Sequence, residues 1–369
     1  MQSRVSLFNV PGGDTIQMLK TQEYLQKLGI NVEISTELEP VLKGYDLIHL
    51  FNLIRPQDIY LAARNAKRQG KKVVLSPIYV VYTEYERKGR EGFSKYLFRL
   101  LTSSKIEYLK IFARAVKNKE FHRATCKLIL FGYLKLQYRI LELADIMLPN
   151  SQSEMDRISS DFGLKSFPYV LVPNSVDKNI FREDVTIDKA LEGIKDCILC
   201  VSRIEGRKNQ LNLIKAMKNL PYELVLIGKA APNHKKYYEK IKKVKSKNVH
   251  ILGDVNHRLL PQYYAIARVH ILPSWFETTG LSSLEAGIMN CNLVVTAKGD
   301  TREYFGDYAY YCDPESIESI QEAIIRAWES PINPRLKEHI FNNYIWEKTA
   351  EKTLEAYHRV ILTGQKGNN

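Results

Sequence analysis

Four side chains in the second half of the sequence have types and spacings suited to chemistry on a phosphate. Arg203 and Lys208 flank a short loop that follows the apolar run 197–201, and Glu277 and Glu285 stand with seven residues between them after a second apolar run ending in Pro273-Ser274. A strand end, a polar turn and a helix start make the place where an open α/β sheet receives a ligand, because the first N–H groups of the helix lack partners there and its dipole favours an anion. Carboxylates repel phosphate but accept hydrogen bonds from hydroxyls. A ligand carrying both groups, such as a sugar nucleotide, would satisfy the cations, the helix start and the carboxylates together. When a nucleoside diphosphate leaves a sugar, negative charge grows on the phosphate, so cations fixed there favour the transition state over the ground state.

Each residue also has a simpler reading. Ser282 and Glu285 fit a capping box, in which the glutamate reaches back to the helix cap, and the local sequence favours that role for Glu285. Arg203 and Lys208 would otherwise be surface charges at a helix start, and Arg207 between them has no assigned role.

These residues must be positioned by repeated strand–helix units. Short, branched apolar runs at 5–9, 31–35, 47–51, 72–76, 146–149 and 169–172 alternate with helix patterns, and a second series follows at 198–201, 224–227, 249–252, 269–272 and 293–296. That alternation predicts α/β architecture with doubly wound parallel sheets. A chain of 369 residues suits two domains. The stretch 173–177, Pro-Asn-Ser-Val-Asp, reads as the hinge between them. Expected boundaries are an N-terminal domain at 1–175 with a basic helical insertion at 84–140, a C-terminal domain at 176–344, and a last helix with a disordered tail at 345–369.

Near the start, Pro11-Gly12-Gly13-Asp14 between a strand and a helix has a phosphate-loop layout without the dinucleotide G-x-G-x-x-G pattern. It is equally a plain strand–helix turn. Glu33 stands about 20 residues further on, where a dehydrogenase would hold ribose.

The paired glutamates, the Arg203/Lys208 pair, Gly228 at a strand end, the loop Leu252-Gly253-Asp254-Val255 and the loop 299–303 together resemble the retaining glycosyltransferases of family 4. The resemblance is dense from about 174 to 313. It implies the GT-B fold, two Rossmann-like domains facing a central cleft, with the C-terminal one holding the donor. It further implies that Arg203 and Lys208 take the diphosphate, Glu277 the donor sugar and Glu285 the ribose. The turn Thr279-Gly280-Leu281-Ser282 would present N–H groups, and the loop before and including Val255 would hold the base. Gly12 and Gly13 would approach the donor phosphates, and Glu303 is structural or ligand-binding. Thr278 and Thr279 replace the family's usual glycine and aromatic residue. The family's histidine after the fourth strand is also missing, which leaves His49 and His122, together with Glu303, as candidates for the acceptor side.

By the same resemblance the reaction is transfer from an NDP-sugar to a hydroxyl of a glycan or lipid-linked acceptor with retained configuration, as in bacterial capsule, O-antigen or exopolysaccharide synthesis. No cofactor or metal is expected: no Asp-x-Asp element is present, and the two cations can do the electrostatic work. Other enzymes of the same architecture, an epimerase or a phosphorylase, are the alternatives.

The formal net charge is +13. It predicts an anionic partner, whether nucleotide, nucleic acid or membrane surface. The segment 84–140 holds 14 basic against 5 acidic residues, interleaved with aromatics. Such a face suits anionic lipid head groups, and a solvated helix with its apolar stripe packed inward accounts for it equally. A basic nucleic-acid-binding protein is the non-enzyme alternative, although the expected partners are a sugar nucleotide, an acceptor glycan and no nucleic acid. No run of about 18 uncharged apolar residues occurs, and the first residues read as a strand rather than a signal peptide, so the expected location is the cytoplasm, peripheral to the inner membrane face. The five cysteines do not form a disulfide framework, and the Cys197-x-x-Cys200 pair lies within an apolar run where packing explains it better than metal.

Overall fold

The computed structural model describes residues 1–4, 7–8, 12–80, 82, 84–89, 105–106, 108–109, 112, 123–191, 196–231 and 234–365. The chain divides into two compact units. Unit 1 holds the described residues within Met1–Val81, Leu100–Asn174 and Trp346–Asn369; unit 2 holds those within Tyr82–Arg99 and Ser175–Ile345. The start of the basic insertion, expected in the first domain, therefore groups with the second.

Unit 1 runs α1 (Gly13–Lys27), β1 (Leu47–Phe51), α2 (Pro56–Arg68), β2 (Lys72–Ser76), α3 (Arg123–Phe131), α4 (Tyr133–Leu143), β3 (Ile146–Met147) and α5 (Gln152–Phe162). β1, β2 and β3 pair in parallel in that order. The edge beyond β1 is formed by Gln2, which bridges to Leu50 on one side and Ser35 on the other. The first strand, expected at 5–9, is thus represented at Gln2, while Leu7 and Phe8 lie in a turn. The runs at 31–35 and 169–172 each contribute a single bridge, at Ser35 and Tyr169.

Unit 2 runs β4 (Cys197–Val201), α6 (Gln210–Ala216), β5 (Leu224–Ile227), α7 (Lys235–Val244), β6 (Val249–Gly253), α8 (Leu260–Ala265), β7 (Ala267–Leu272), α9 (Leu281–Ile288), β8 (Asn292–Thr296), α10 (Thr301–Phe305), β9 (Ala309–Cys312), α11 (Ile317–Glu329) and α12 (Pro334–Asn343). All six strands are parallel, in the order β6-β5-β4-β7-β8-β9. β9 has no counterpart in the expected set.

Both faces of this sheet are covered, which is why its strands read as unbroken apolar runs. Successive side chains alternate between faces. Cys197, Leu199, Val225 and Val295 meet Leu284, Ile288 and Ile340 on one side. Ile198, Cys200, Leu226 and Val294 meet Leu213, Ile214 and Ile324 on the other. Cys197 and Cys200 therefore belong to opposite faces of one strand and cannot act as a pair.

The last helix, α13 (Trp346–Gln365), belongs to unit 1 and packs on α1 and β2. Trp346, Ala350, Tyr357 and Val360 share a core with Tyr24, Leu25, Val74 and Ile146. Among the described residues no helix is long and apolar enough to cross a membrane.

Candidate active site

The strand order of unit 2 decides where a ligand can bind. From β4 the chain proceeds outward through β5 and β6; it then returns to β7 and proceeds outward the other way. The carboxyl ends of β4 and β7 are therefore adjacent while their following loops diverge, and such a switch point opens a crevice. Arg203 and Lys208 follow β4, and Glu277 follows β7.

The loop after β4 is pinned by contacts that only glycine permits. Gly228, at the end of β5, has φ of +146°, and a Cβ there would lie 1.8 Å from the Ser202 carbonyl oxygen. Ser202 N–H donates to Ile227 O at 2.9 Å and Ile204 N–H to Lys229 O at 2.9 Å. The chain then makes a single tight turn, Gly206–Lys208, ending at Asn209 in the left-handed region with φ of 63°. Buried Asn209 donates through Nδ2 to Pro273 O at 3.1 Å and Pro314 O at 2.8 Å, tying the turn to the ends of β7 and β9.

The loop after β7 is held from the other side. Gly299, with φ of +96°, lets the chain after β8 press on Glu277: a Cβ there would lie 2.0 Å from the Glu277 carbonyl oxygen. Glu277 N–H donates to Lys298 O at 3.2 Å, and Asp300 N–H to Glu277 O at 2.9 Å. Trp275 N–H donates to Arg207 O at 2.9 Å and so joins the two loops. With both backbones fixed, the Lys208 ammonium and the Glu277 carboxylate form an ion pair across the switch point, with side-chain exposures of 20% and 9%.

α9 opens after Gly280, whose φ is 74°. Ser283 and Leu284 N–H both return to Gly280 O, at 2.8 and 3.2 Å. Leu281 and Ser282 supply the first N–H groups, which an α-helix leaves without intrahelical acceptors. Thr279 is buried beside them.

Glu285 does not form the capping box. Gly280 is the cap, so Ser282 already lies inside the helix and Glu285 one turn on, too far to reach back. Its carboxylate instead accepts from the Tyr264 hydroxyl at 2.9 Å and pairs with His257 Nε2 at 2.8 Å. Tyr264 has no solvent exposure, and burial first, then the neighbouring carboxylate, pushes its phenol well above the usual value. It is a fixed donor.

A second charge cluster surrounds Arg203. Glu205 Oε1 accepts from Arg207 Nε at 2.6 Å and lies 3.6 Å from Arg203 Nη2. Burial pushes the Glu205 carboxyl up, but Arg207 and Arg203 outweigh it and hold it below the ordinary range. Arg207 Nη1 also donates to the Tyr82 hydroxyl at 2.5 Å. Arg207 thus points inward, while Arg203 remains 39% exposed. Neither Tyr82 nor the Tyr264–His257 pair carries a pattern that the sequence would mark.

The other expected residues lie elsewhere. Val255 follows β6 and is partly buried against the core containing Leu260 and Tyr264. Glu303 is an exposed residue of α10. In unit 1, Gly12 caps α1, and Asp14 beside it accepts from Arg4 Nε at 2.7 Å and Asn52 Nδ2 at 2.9 Å. This turn is charge-balanced within itself. A Cβ at Gly13 would meet nothing within 4 Å. His49 is 2% exposed; its Nδ1 lies 2.8 Å from the Tyr357 hydroxyl and its Nε2 2.8 Å from Ser76 Oγ. Burial holds its pKa well below the ordinary value. The candidate acceptor histidine is a core histidine with both nitrogens engaged. His122 lies outside the described residues. Among the described residues no cluster of His, Cys, Asp and Glu is placed to hold a metal.

Residues 182–345 match the family described as Glycosyl transferases group 1. An O-antigen chain mannosyltransferase B of Escherichia coli is 28% identical over 173 residues, 43% of this chain and 45% of the relative. An uncharacterized glycosyltransferase of Methanocaldococcus jannaschii is 27% identical over 201 residues, 50% of this chain and 51% of the relative. The chain therefore spans about half the length of the curated relatives it matches. Among solved structures, HepE of Anabaena in complex with UDP superposes with a TM-score of 0.69 at 15% identity, covering 97% of this chain and 98% of HepE. Residues 182–345 are thus similar to the glycosyl transferases group 1, and the fold of the chain is GT-B.

Proposed function

We propose that this chain is a retaining, metal-independent glycosyltransferase that moves a sugar from a nucleoside diphosphate to a hydroxyl of a glycan or lipid-linked acceptor in bacterial surface-polysaccharide synthesis. The observation that carries the reading is the Lys208–Glu277 pair, which places a cation and a carboxylate together at the carboxyl ends of β4 and β7 beside the start of α9. In this reading the diphosphate displaces Glu277 from Lys208, takes Arg203 and the first N–H groups of α9, and frees the Glu277 carboxylate for sugar hydroxyls. Glu285, held by Tyr264, accepts from the ribose. Charge growing on the departing phosphate meets fixed cations, so the gain is larger in the transition state. The E. coli relative is named a mannosyltransferase and the solved neighbour holds UDP, which makes UDP- and GDP-linked hexoses the first donors to try.

The basic insertion supplies the acceptor side of the proposal. At the junction of α3 and α4, Leu130 is 73% and Leu134 47% exposed, with Lys127, Lys135 and Arg139 around them and no acidic residue between 123 and 141. Lys105 and Lys135 also line an open, apolar hollow of about 490 Å³ with Tyr108, Leu109, Phe131 and Leu134. Apolar side chains ringed by cations match an anionic bilayer surface, where a lipid-linked acceptor resides.

The test is product formation from a panel of α-linked sugar nucleotides with lipid-phosphate acceptors, with the new linkage read by NMR. A new α-linkage formed in the presence of EDTA is expected. A β-linkage, or activity that EDTA removes, would refute the retaining or the metal-independent part.

A further inference from the structure

The opening of the basic insertion lies on the site just described. Tyr82 and residues 84–89, which include the π-helical turn Tyr85–Gly89, touch the loops that follow β4, β7, β8 and β9 of their own unit. The Tyr85 hydroxyl sits over Gly206, where a Cβ would come within 2.4 Å of it, and a Cβ at Gly89 would come within 2.6 Å of the Trp275 indole. Glu84 pairs with Lys298 at 3.1 Å and Lys88 with Glu315 at 2.7 Å. These exposed pairs are weak, so the aromatic packing does most to hold the segment down.

Tyr82 makes the contact with chemical consequence. It accepts from Arg207 Nη1 at 2.5 Å, its ring centroid is 5.0 Å from the Arg207 guanidinium, and its edge meets Phe276 at 6.2 Å. Arg207 in turn holds Glu205 at 2.6 Å, while Arg203 stands off from the same Glu205 oxygen at 3.6 Å. Two arginines compete for one carboxylate. The nearer one is held in place by Tyr82.

We propose that Tyr82 is a positioning residue of the nucleotide-sugar site: by fixing Arg207 against Glu205 it keeps Glu205 from closing on Arg203, which leaves the Arg203 cation available to phosphate. This rests on the proposed function, and it makes Tyr82 and residues 84–89 a strap over the donor cations of their own unit. Without Tyr82, Arg207 loses an acceptor and a ring face, its grip on Glu205 loosens, and Glu205 neutralises Arg203.

The distinguishing experiment is calorimetric titration of whichever of UDP, GDP and ADP binds the wild-type protein, using Tyr82→Phe, Tyr82→Ala and Tyr82→Ala/Glu205→Gln. Loss of one hydrogen bond to a charged group predicts about tenfold weaker binding in Tyr82→Ala and an intermediate loss in Tyr82→Phe, which keeps the ring. Glu205→Gln removes the carboxylate that would neutralise Arg203, so the double variant should recover wild-type affinity to within about threefold. A mere folding role for Tyr82 would not be rescued in this way. Unchanged affinity in Tyr82→Ala, or no recovery in the double variant, would overturn the proposal while nucleotide binding by the wild type still supports the function. Should Tyr82→Ala fail to fold, Tyr82→Phe with and without Glu205→Gln carries the same comparison. A wild type that binds no nucleoside diphosphate would remove the functional reading and this inference with it.

Discussion

The Tyr264 hydroxyl donates to Glu285 Oε2 at 2.9 Å from a position with no solvent exposure, and His257 holds the other carboxylate oxygen at 2.8 Å. Glu285 is therefore aimed by a residue 21 positions earlier in the chain, and its orientation precedes any ligand. Preorganised acceptors lose less entropy on binding than mobile ones.

Tyr264→Phe should accordingly act twice. It leaves a buried carboxylate oxygen short of a donor, which should cost about 1–3 kcal/mol of stability. Under the proposed role of Glu285 as the ribose acceptor, it should also weaken nucleotide binding relative to the free base. Urea unfolding and calorimetry on one preparation check both, and a variant unchanged in each would show that Tyr264 does not position Glu285.

Two glycines should tolerate no side chain. Gly228→Ala would place a Cβ 1.8 Å from Ser202 O, and Gly299→Ala one 2.0 Å from Glu277 O, at φ values of +146° and +96°. Backbone must move in either case, and a loss above about 3 kcal/mol is expected. Gly13→Ala, with nothing within 4 Å and a helical position, should be neutral or stabilising. Melting temperatures of the three variants settle the contrast; a Gly228→Ala protein as stable as wild type would mean the two strand ends are not pressed together.

Stability should fall on mild acidification through His270. This residue of β7 is fully buried, neither ring nitrogen has a hydrogen-bond partner among the described residues, and burial, then the nearby Lys208, lowers its pKa to about 3. Below the ordinary value near 6.5 the unfolded chain binds a proton that the folded chain refuses, so stability is full above pH 6.5 and lost as pH falls toward 3. The loss is about 1.4 kcal/mol per pH unit, or roughly 2 kcal/mol between pH 6.5 and 5. His270→Leu should flatten that slope in urea titrations of unit 2. Equal slopes in variant and wild type would show that His270 is not the titrating group.

Membrane docking is checked by vesicle flotation. Binding to anionic phosphatidylglycerol vesicles at low salt, with little to neutral phosphatidylcholine, is expected. Leu130→Asp/Leu134→Asp should abolish it without altering the melting temperature, since both side chains already face solvent. Undiminished flotation of that variant would place the contact elsewhere.

The sheet of unit 2 was largely readable because parallel strands covered on both faces have a continuous apolar signature: Leu224–Ile227 shows four branched apolar residues in a row and four buried positions. β9 escaped because Tyr310 and Tyr311 are only half-buried, which breaks that signature. The expected strand at 5–9 has the right composition, yet the ladder is held by polar Gln2. In the site, the cations and glutamates were visible as spacings within single loops. Their partners were not, because Tyr264 and His257 come from α8 and the turn before it, and Tyr82 lies 125 residues before Arg207. A capping box was the natural local explanation for Glu285, and only the cap at Gly280 excludes it.

Whether Lys208 and Arg203 receive the diphosphate of a sugar nucleotide, as proposed, is decided by titrating UDP, GDP and ADP into wild type and Lys208→Ala with and without EDTA. One nucleotide should bind wild type equally with and without EDTA, and Lys208→Ala should weaken it by about tenfold to a hundredfold, the worth of one charge-assisted contact. Binding of none of the three to the wild type, or undiminished binding to Lys208→Ala, would contradict the account.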